Sequence, residues 1–386
     1  MMRPMKLGGE QLLFGRGCLE HLATLKGTRA VIVTGGSSMS RSGVLARVRD
    51  YLTKAGMTTE VFPGVEPDPS FPTVLRGATL MCDFHPDWIV ALGGGSAMDA
   101  AKAMWIYYEH PELTRLEDIL PPALFPRLRA KARLVCIPST AGTASEVSRS
   151  IVITDEKTGL KNGLGNMEMV PDVALCDPEV TLSLPPKITA ETGMDALTHA
   201  LESLVSRRAN YLSHIFATAA AREILTNLPR AYRNGKDIDA REAMMNASMT
   251  AGLAFTNVSL GIVHSIAHTL GGCFGIAHGL ADAVVLPWVM RFNAADPTTS
   301  SLYTSCAAEA GVPDLVAAVQ ALSTELSIPR TVSGLVPDRK AYESRLGEMT
   351  GLALRDGCTK TNPLIPDETT MRRLLVEVYD GKGTGR

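Results

Sequence analysis

The sequence predicts an α/β domain on a parallel sheet over residues 1–184, followed by an all-α domain over residues 185–386. Three observations carry this prediction. At 386 residues the chain exceeds the ~250–300 at which a single core stops growing, so two domains are the default. The first half alternates short apolar runs, each closing on Gly, Pro or Ser/Thr, with helix-spaced stretches. The second half shows helical periodicity alone.

Taken in order, "RAVIVTGG" at 29–36, "DWIVALGGG" at 87–95 and "ARLVCIPST" at 132–140 read as buried parallel strands ending in tight turns. Between the first two, "SGVLARVRDYLTKAG" at 42–56 has helical spacing and a closing Gly. This is a βαβ layout, in which ligands bind at the carboxyl ends of the strands. From "LPPKITAETG" at 184–193 the texture changes, and "MDALTHALESLVS" and "HIFATAAAREILTNL" read as helices, with the boundary at Pro185–Pro186. The final "DGKGTGR" is expected to fray.

Composition limits the function classes. Hydrophobic residues make up 45% and charged residues 20%, as in ordinary globular proteins. The formal net charge is -2, and Lys and Arg form no block of the kind that follows nucleic-acid backbones or anionic lipid. No run of ~20 apolar residues and no signal-peptide core is present, so neither nucleic acid nor membrane is an expected partner. The seven cysteines are an odd number without a CxxC pair, which argues for free thiols in a reducing compartment and a cytoplasmic protein.

Two turns point to an anion. "GGGSAMDAAK" at 93–102 follows one strand and opens a helix, so Gly94, Gly95 and the Ser96 amide can present N–H groups and a helix N-terminus to a pyrophosphate. Glycine admits the close approach that a Cβ would block. "PSTAGTASEV" at 138–147 offers Thr140 and Thr143 hydroxyls at the next strand end. The competing reading is a plain tight turn with Ser96 as helix cap, but two such turns on neighbouring strand ends favour a dinucleotide crevice.

"GIVHSIAHTLGGCFGIAHGLADA" at 261–283 places His264, His268 and His278 in an apolar setting. "GMDALTHALE" at 193–202 adds Asp195 and His199, four apart like His264 and His268, and hence on one helical face. The competing readings are core histidines bonded to backbone carbonyls and a surface Asp/His pair. Together, one carboxylate and several imidazoles suit Fe(II) or Zn(II) better than Mg(II) or Ca(II). "HSIAH" is not the zincin HExxH, because Ser265 stands where the metalloprotease base would be. A metal with a dinucleotide crevice suggests a Lewis acid holding an alcohol oxygen while a nicotinamide takes hydride.

These motifs, with "PDVALCDPEVTLSLPP" at 171–186, resemble the iron-containing (group III) alcohol dehydrogenases, the family of lactaldehyde reductase, 1,3-propanediol dehydrogenase and butanol dehydrogenase. The resemblance implies a Rossmann-like first domain and a dehydroquinate synthase-like two-domain frame. It implies Asp195, His199, His264 and His278 as ligands of Fe(II), with Zn(II) able to replace it. His268 would act beside the metal, relaying a proton or positioning substrate. Gly94, Gly95, Ser96, Asp99, Thr140, Thr143 and Lys161 would meet the cofactor. Arg149 and Phe255 are candidates for substrate contact, Arg149 for an anionic group on a small aldehyde. The expected partners are a small alcohol or aldehyde and further copies of this chain, as a homodimer or larger homo-oligomer.

Two positions depart from the family pattern. Where many NAD-using members carry an Asp that bonds the adenosine ribose, this chain has Gly35, then Gly36, Ser37 and Ser38. Without that carboxylate NADP(H) is admitted beside NAD(H), and Ser37 can bond its 2′-phosphate, which leans the expectation toward NADP(H). The usual Asn-Pro is Asp68-Pro69. The alternatives are a dehydroquinate synthase-like lyase using metal and NAD, and a non-catalytic metal-binding protein.

Overall fold

The computed structural model describes residues 5–156 and 161–382. The chain divides into two compact units, Met1–Leu184 and Pro185–Arg386. The first contains β1 (Gln11–Phe14), β2 (Arg29–Thr34), α1 (Ser38–Arg41), α2 (Val44–Lys54), β3 (Thr58–Phe62) and α3 (Phe71–Phe84). It continues through β4 (Trp88–Gly93), α4 (Gly95–Glu109), β5 (Arg133–Pro138), β6 (Ser150–Thr154), β7 (Lys161–Gly165) and β8 (Val173–Cys176).

Six of these strands form one parallel sheet in the order β1-β8-β5-β4-β2-β3. The three central strands read as continuous apolar runs because both faces are covered. Val31, Val33, Ile89, Ala91, Leu134 and Cys136 face the core that includes α3 and α4, while Ala30, Ile32, Val90, Leu92, Val135 and Ile137 face α1 and α2. Strand order reverses between β2 and β4, because the chain runs outward from β2 to β3 and then returns to the other side of β2. A crevice at such a reversal is where ligands of open α/β sheets lie. The Gly35 and Gly94 turns sit at this point, with a Cβ on Gly93 coming within 3.9 Å of the Gly35 nitrogen.

β6 and β7 form a separate antiparallel pair, Ser150↔Gly165 to Thr154↔Lys161, which the sequence analysis does not anticipate. β7 reads "KNGLG", with two glycines and a single large apolar residue, so no alternation marks it.

The second unit is helical: α5 (Pro186–Val205), α6 (Tyr211–Arg233), α7 (Ile238–Val258), α8 (Ile262–Phe274), α9 (His278–Asn293), α10 (Pro297–Ala310), α11 (Leu315–Glu325), α12 (Arg339–Arg355) and α13 (Glu368–Asp380). α5 is buried almost throughout from Thr189 onward. Gly193 lets α6 approach it, since a Cβ there would stand 2.3 Å from Leu228 Cδ1. Of the C-terminal stretch expected to fray, Asp380 ends α13 and Gly381 caps it, and residues 383–386 lie outside the described residues. Among the described residues no single helix is long and apolar enough to cross a membrane; α7 and α8 together reach that length and composition, but they are bent by 100° at the break between them. All seven cysteines are free thiols.

Candidate active site

α5 presents Asp195, His199 and Glu202 at i, i+4 and i+7, which is one face of a helix. α8 presents His264 and His268, and α9 opens on His278 with Asp282 one turn later. These faces converge. Asp195 Oδ1 lies 3.4 Å from His199 Nε2, 3.8 Å from His264 Nε2 and 3.9 Å from His278 Nε2. One donor atom each from Asp195, His264, His278 and Asp282 falls within 4.8 Å of the others. His199 stacks on the His264 ring at 4.8 Å and on Phe255 at 4.4 Å, so Phe255 walls one side of the cluster.

The cluster is buried and left wanting partners. Asp195 Oδ1, His264 Nε2 and both Asp282 oxygens are inaccessible to water and have no hydrogen-bond partner. Orphaned polar atoms of this kind are costly in a core, and their types, carboxylate oxygen and imidazole nitrogen, are the donors a divalent first-row metal takes. The residues therefore fit a bound metal. Burial pushes the Asp195 and Asp282 carboxyls up, and burial beside the other imidazoles holds His264 well below the usual histidine range. An imidazole that stays neutral at neutral pH is a ready ligand.

Glu202, unassigned in the sequence analysis, accepts from Val263 N and from His264 Nδ1, both at 2.7 Å. The second bond fixes the His264 tautomer and leaves Nε2 to face Asp195. Its spacing of seven from Asp195 is the signal that could have found it. Asp356, before the short 3-10 turn Gly357–Thr361, accepts from His268 Nδ1 at 2.8 Å. Burial would raise the Asp356 carboxyl, but the His268 contact and the Cys358 N–H hold it well below the carboxylate range. His268 is more open than His264 and stacks on His278 at 5.2 Å.

The first unit assembles the candidate cofactor residues. α4 starts at Gly95 with Gly94 as N-cap and no side-chain cap bond, so its first amides are not capped by Ser96. Ser96 Oγ instead accepts from Asp68 N at 3.3 Å. A Cβ on Gly94 would reach Thr140 Cγ2 at 3.4 Å, and one on Gly95 would reach Thr143 Cγ2 at 2.8 Å. The two polar turns are thus in contact, as their neighbouring strand ends require, and Thr140 Oγ1 is buried without a partner.

Asp99 is committed within the fold, accepting from Ser145 Oγ at 2.7 Å and Val152 N at 3.0 Å. Lys102, fully buried in the same motif, shares its ammonium among Ser145 O, Ser145 Oγ, Ser148 O and Ser150 O. These bonds tie α4 to the 139–150 loop. Lys161 Nζ pairs with Asp68 Oδ2 at 2.7 Å, so the lysine expected at the cofactor meets the residue that departs from the family pattern. Gly35 and Ser37 follow β2, Ser37 as the exposed N-cap of α1. The Arg149 side chain runs beside Gly165 of β7, its Nε 3.6 Å from where a Cβ would be.

Comparison with known proteins finds relatives over both units of the chain. The family model "Iron-containing alcohol dehydrogenase" matches residues 9–178, and the model of the C-terminal part of the Fe-containing alcohol dehydrogenase family matches residues 189–379. The NADPH-dependent butanol dehydrogenase of Clostridium saccharobutylicum is 43% identical, with 96% of each chain covered. The 1-propanol dehydrogenase of Citrobacter freundii is 36% identical over 95% of this chain and 98% of that protein. The solved iron-containing alcohol dehydrogenase of Thermococcus thioreducens superimposes with a TM-score of 0.90 at 32% identity, covering 99% of this chain and 100% of its own.

Proposed function

This chain belongs to the iron-containing alcohol dehydrogenase family, and from that premise we propose that it interconverts a short primary alcohol and its aldehyde with NADP(H) as the preferred cofactor and Fe(II) as the metal. It is an oxidoreductase, and the family frame leaves a dehydroquinate synthase-like lyase without support, since both halves match the dehydrogenase models. Asp195, His199, His264 and His278 would hold the metal. The observation that carries this is the pair of orphaned buried atoms, Asp195 Oδ1 and His264 Nε2, facing one another in a cluster of imidazoles. The cofactor lean rests on the absent carboxylate at Gly35 and on the NADPH-dependent relative.

A bound divalent metal supplies Lewis acidity toward an alcohol or carbonyl oxygen, and a nicotinamide supplies or accepts the hydride. The protein's own residues do the rest. Gly94, Gly95 and the uncapped first turn of α4 offer amides to a pyrophosphate. Glu202 fixes the His264 ring, and Phe255 keeps water from the His199 face. His268, with Nδ1 bonded to Asp356, has Nε2 available to accept the hydroxyl proton during oxidation and return it during reduction. Alcohol and NADP⁺ thus give aldehyde, NADPH and one proton.

A panel of C2–C5 alcohols and aldehydes assayed with both cofactors, after loading with Fe(II), Zn(II) or no metal, tests the reading. Turnover that needs metal and is faster with NADPH supports it, and full activity in metal-free protein would overturn it. A narrower reading, an anionic aldehyde as substrate, rests on Arg149. Arg149→Met is expected to cost such a substrate ~10-fold or more while sparing butanal if a charge-assisted bond is made. Equal effects on the two would reduce Arg149 to a structural role. We read the protein as a homo-oligomer, supported by Phe14, 59% exposed on the edge strand β1, and light scattering will give its mass; the cytoplasmic reading is supported by its seven free thiols.

A further inference from the structure

We propose that Asp282 is an additional metal ligand, a second carboxylate that faces the ion beside Asp195; the inference rests on the metal reading above. Asp282 is 0% exposed, and neither of its oxygens makes a hydrogen bond of good geometry; its close neighbours are the Asp195 carboxyl, a like charge, and His278 Nε2. A carboxylate in that condition is expensive unless a cation meets it.

Where it stands decides its role. A carboxylate that merely orients a metal-binding imidazole bonds the ring nitrogen turned away from the ion. Glu202 does this at His264 Nδ1, and Asp356 takes the same nitrogen of His268. Asp282 does the opposite: its Oδ2 is 3.2 Å from Nε2 of His278, the nitrogen that also faces Asp195 Oδ1 at 3.9 Å. Its other oxygen reaches no closer than 4.0 Å to His264 Nδ1, too far for an orienting bond. With metal–ligand bonds of ~2.0–2.2 Å, two donors on one ion stand roughly 3–3.6 Å apart. The 3.2 Å separation is of that size.

The backbone holds it there. α9 lies close against α5 because residue 279 is Gly, and a Cβ at that position would come within 2.3 Å of Glu191 O. The first turn of α9 is thereby pressed toward Asp195, with Asp282 four residues after His278 on the same face. A second carboxylate adds a hard oxygen donor to an otherwise imidazole-rich set. This favours oxygen-preferring ions of higher coordination number over tetrahedral Zn(II).

The test compares Mn(II) and Zn(II) affinities, by chelator competition, for the wild-type chain and Asp282→Asn, with circular dichroism of each metal-free protein as the check on folding. Mn(II) binding is expected to weaken by ~100-fold or more, beyond the ~10–100-fold range of residues that only orient a ligand, with Zn(II) weakened at least tenfold less. Unchanged affinities would overturn the proposal. So would equal losses for both ions, which would make Asp282 an orienting residue of His278. Asp282→Ser, which removes the carboxylate and admits water, gives the same comparison if the amide disturbs the helix pair. A wild-type chain that binds neither ion, or an Asp195→Ala chain that still binds both, would instead overturn the metal reading itself.

Discussion

A carboxylate missing from one position carries the choice of cofactor. Gly35 lies at the reversal of strand order, and a Cβ there meets only Val65 O at 3.5 Å, so the backbone admits a side chain at this position. The added charge would oppose a 2′-phosphate and accept from a ribose hydroxyl, and the NADPH/NADH ratio of kcat/KM is expected to fall ~10-fold or more, about 1.4 kcal/mol. A ratio that does not fall would place Gly35 away from the adenosine ribose. His268 is tested by separating chemistry from metal content. His268→Ala is expected to lower turnover while leaving bound metal unchanged, and its pH–rate profile should lose the limb that reports the proton carrier. Loss of the metal would make His268 a ligand.

What the sequence discloses at the scale of elements follows from how far a residue's partner lies along the chain. The strands β2, β4 and β5 and the pairs Asp195/His199 and His264/His268 are legible because each is signalled locally, the strands by unbroken apolar runs closing on turn residues and the pairs by a spacing of four on a helix face. His278 and Asp282 share that period too, yet Asp282 counts as a donor only once α9 is seen against α5. Asp356 stands 88 residues from His268, so no local spacing announces it. Lys102 and Asp99, in the same "GGGSAMDAAK" stretch, bond to the 139–150 loop and hold α4 against it, through partners more than forty residues away that no local spacing announces. That loop also buries Glu146, 2% exposed, with Oε2 unpartnered. Burial pushes its carboxyl up to about 7, against the pull of its own backbone N–H and of Lys102. A folded-state pKa above the unfolded ~4.3 means the folded state binds the extra proton, so stability falls as pH rises from ~4.3 to about 7 and is flat above. Glu146→Gln removes that dependence. Its Tm is expected to exceed the wild type's at pH 8, at about 2–4 °C per kcal/mol, and by much less at pH 5. Equal Tm differences at both pH values would show that Glu146 ionises freely in the fold.

Over the whole molecule the two chemistries are housed in separate units of the chain. The amides expected to hold pyrophosphate belong to Met1–Leu184, and every proposed metal donor belongs to Pro185–Arg386. Loss of one ligand class should therefore leave binding of the other largely intact, although turnover needs both. Asp195→Ala removes the oxygen that faces three imidazoles, so turnover is expected to vanish while NADPH fluorescence titration gives a Kd within ~3-fold of the wild type. The metal's contribution to stability follows mass action, RT ln(1 + [L]/Kd), or about 2.7 kcal/mol at a free metal concentration 100 times Kd. In the wild type, added Fe(II) or Zn(II) should raise Tm and a chelator should lower it. In Asp195→Ala neither should move Tm, and the metal-free variant should melt no lower than the metal-free wild type, because it no longer buries an unpartnered carboxylate oxygen. A metal-dependent rise of the same size in the variant would show that the ion binds elsewhere in the chain, and would detach the orphaned atoms of α5 and α8 from the chemistry assigned to them.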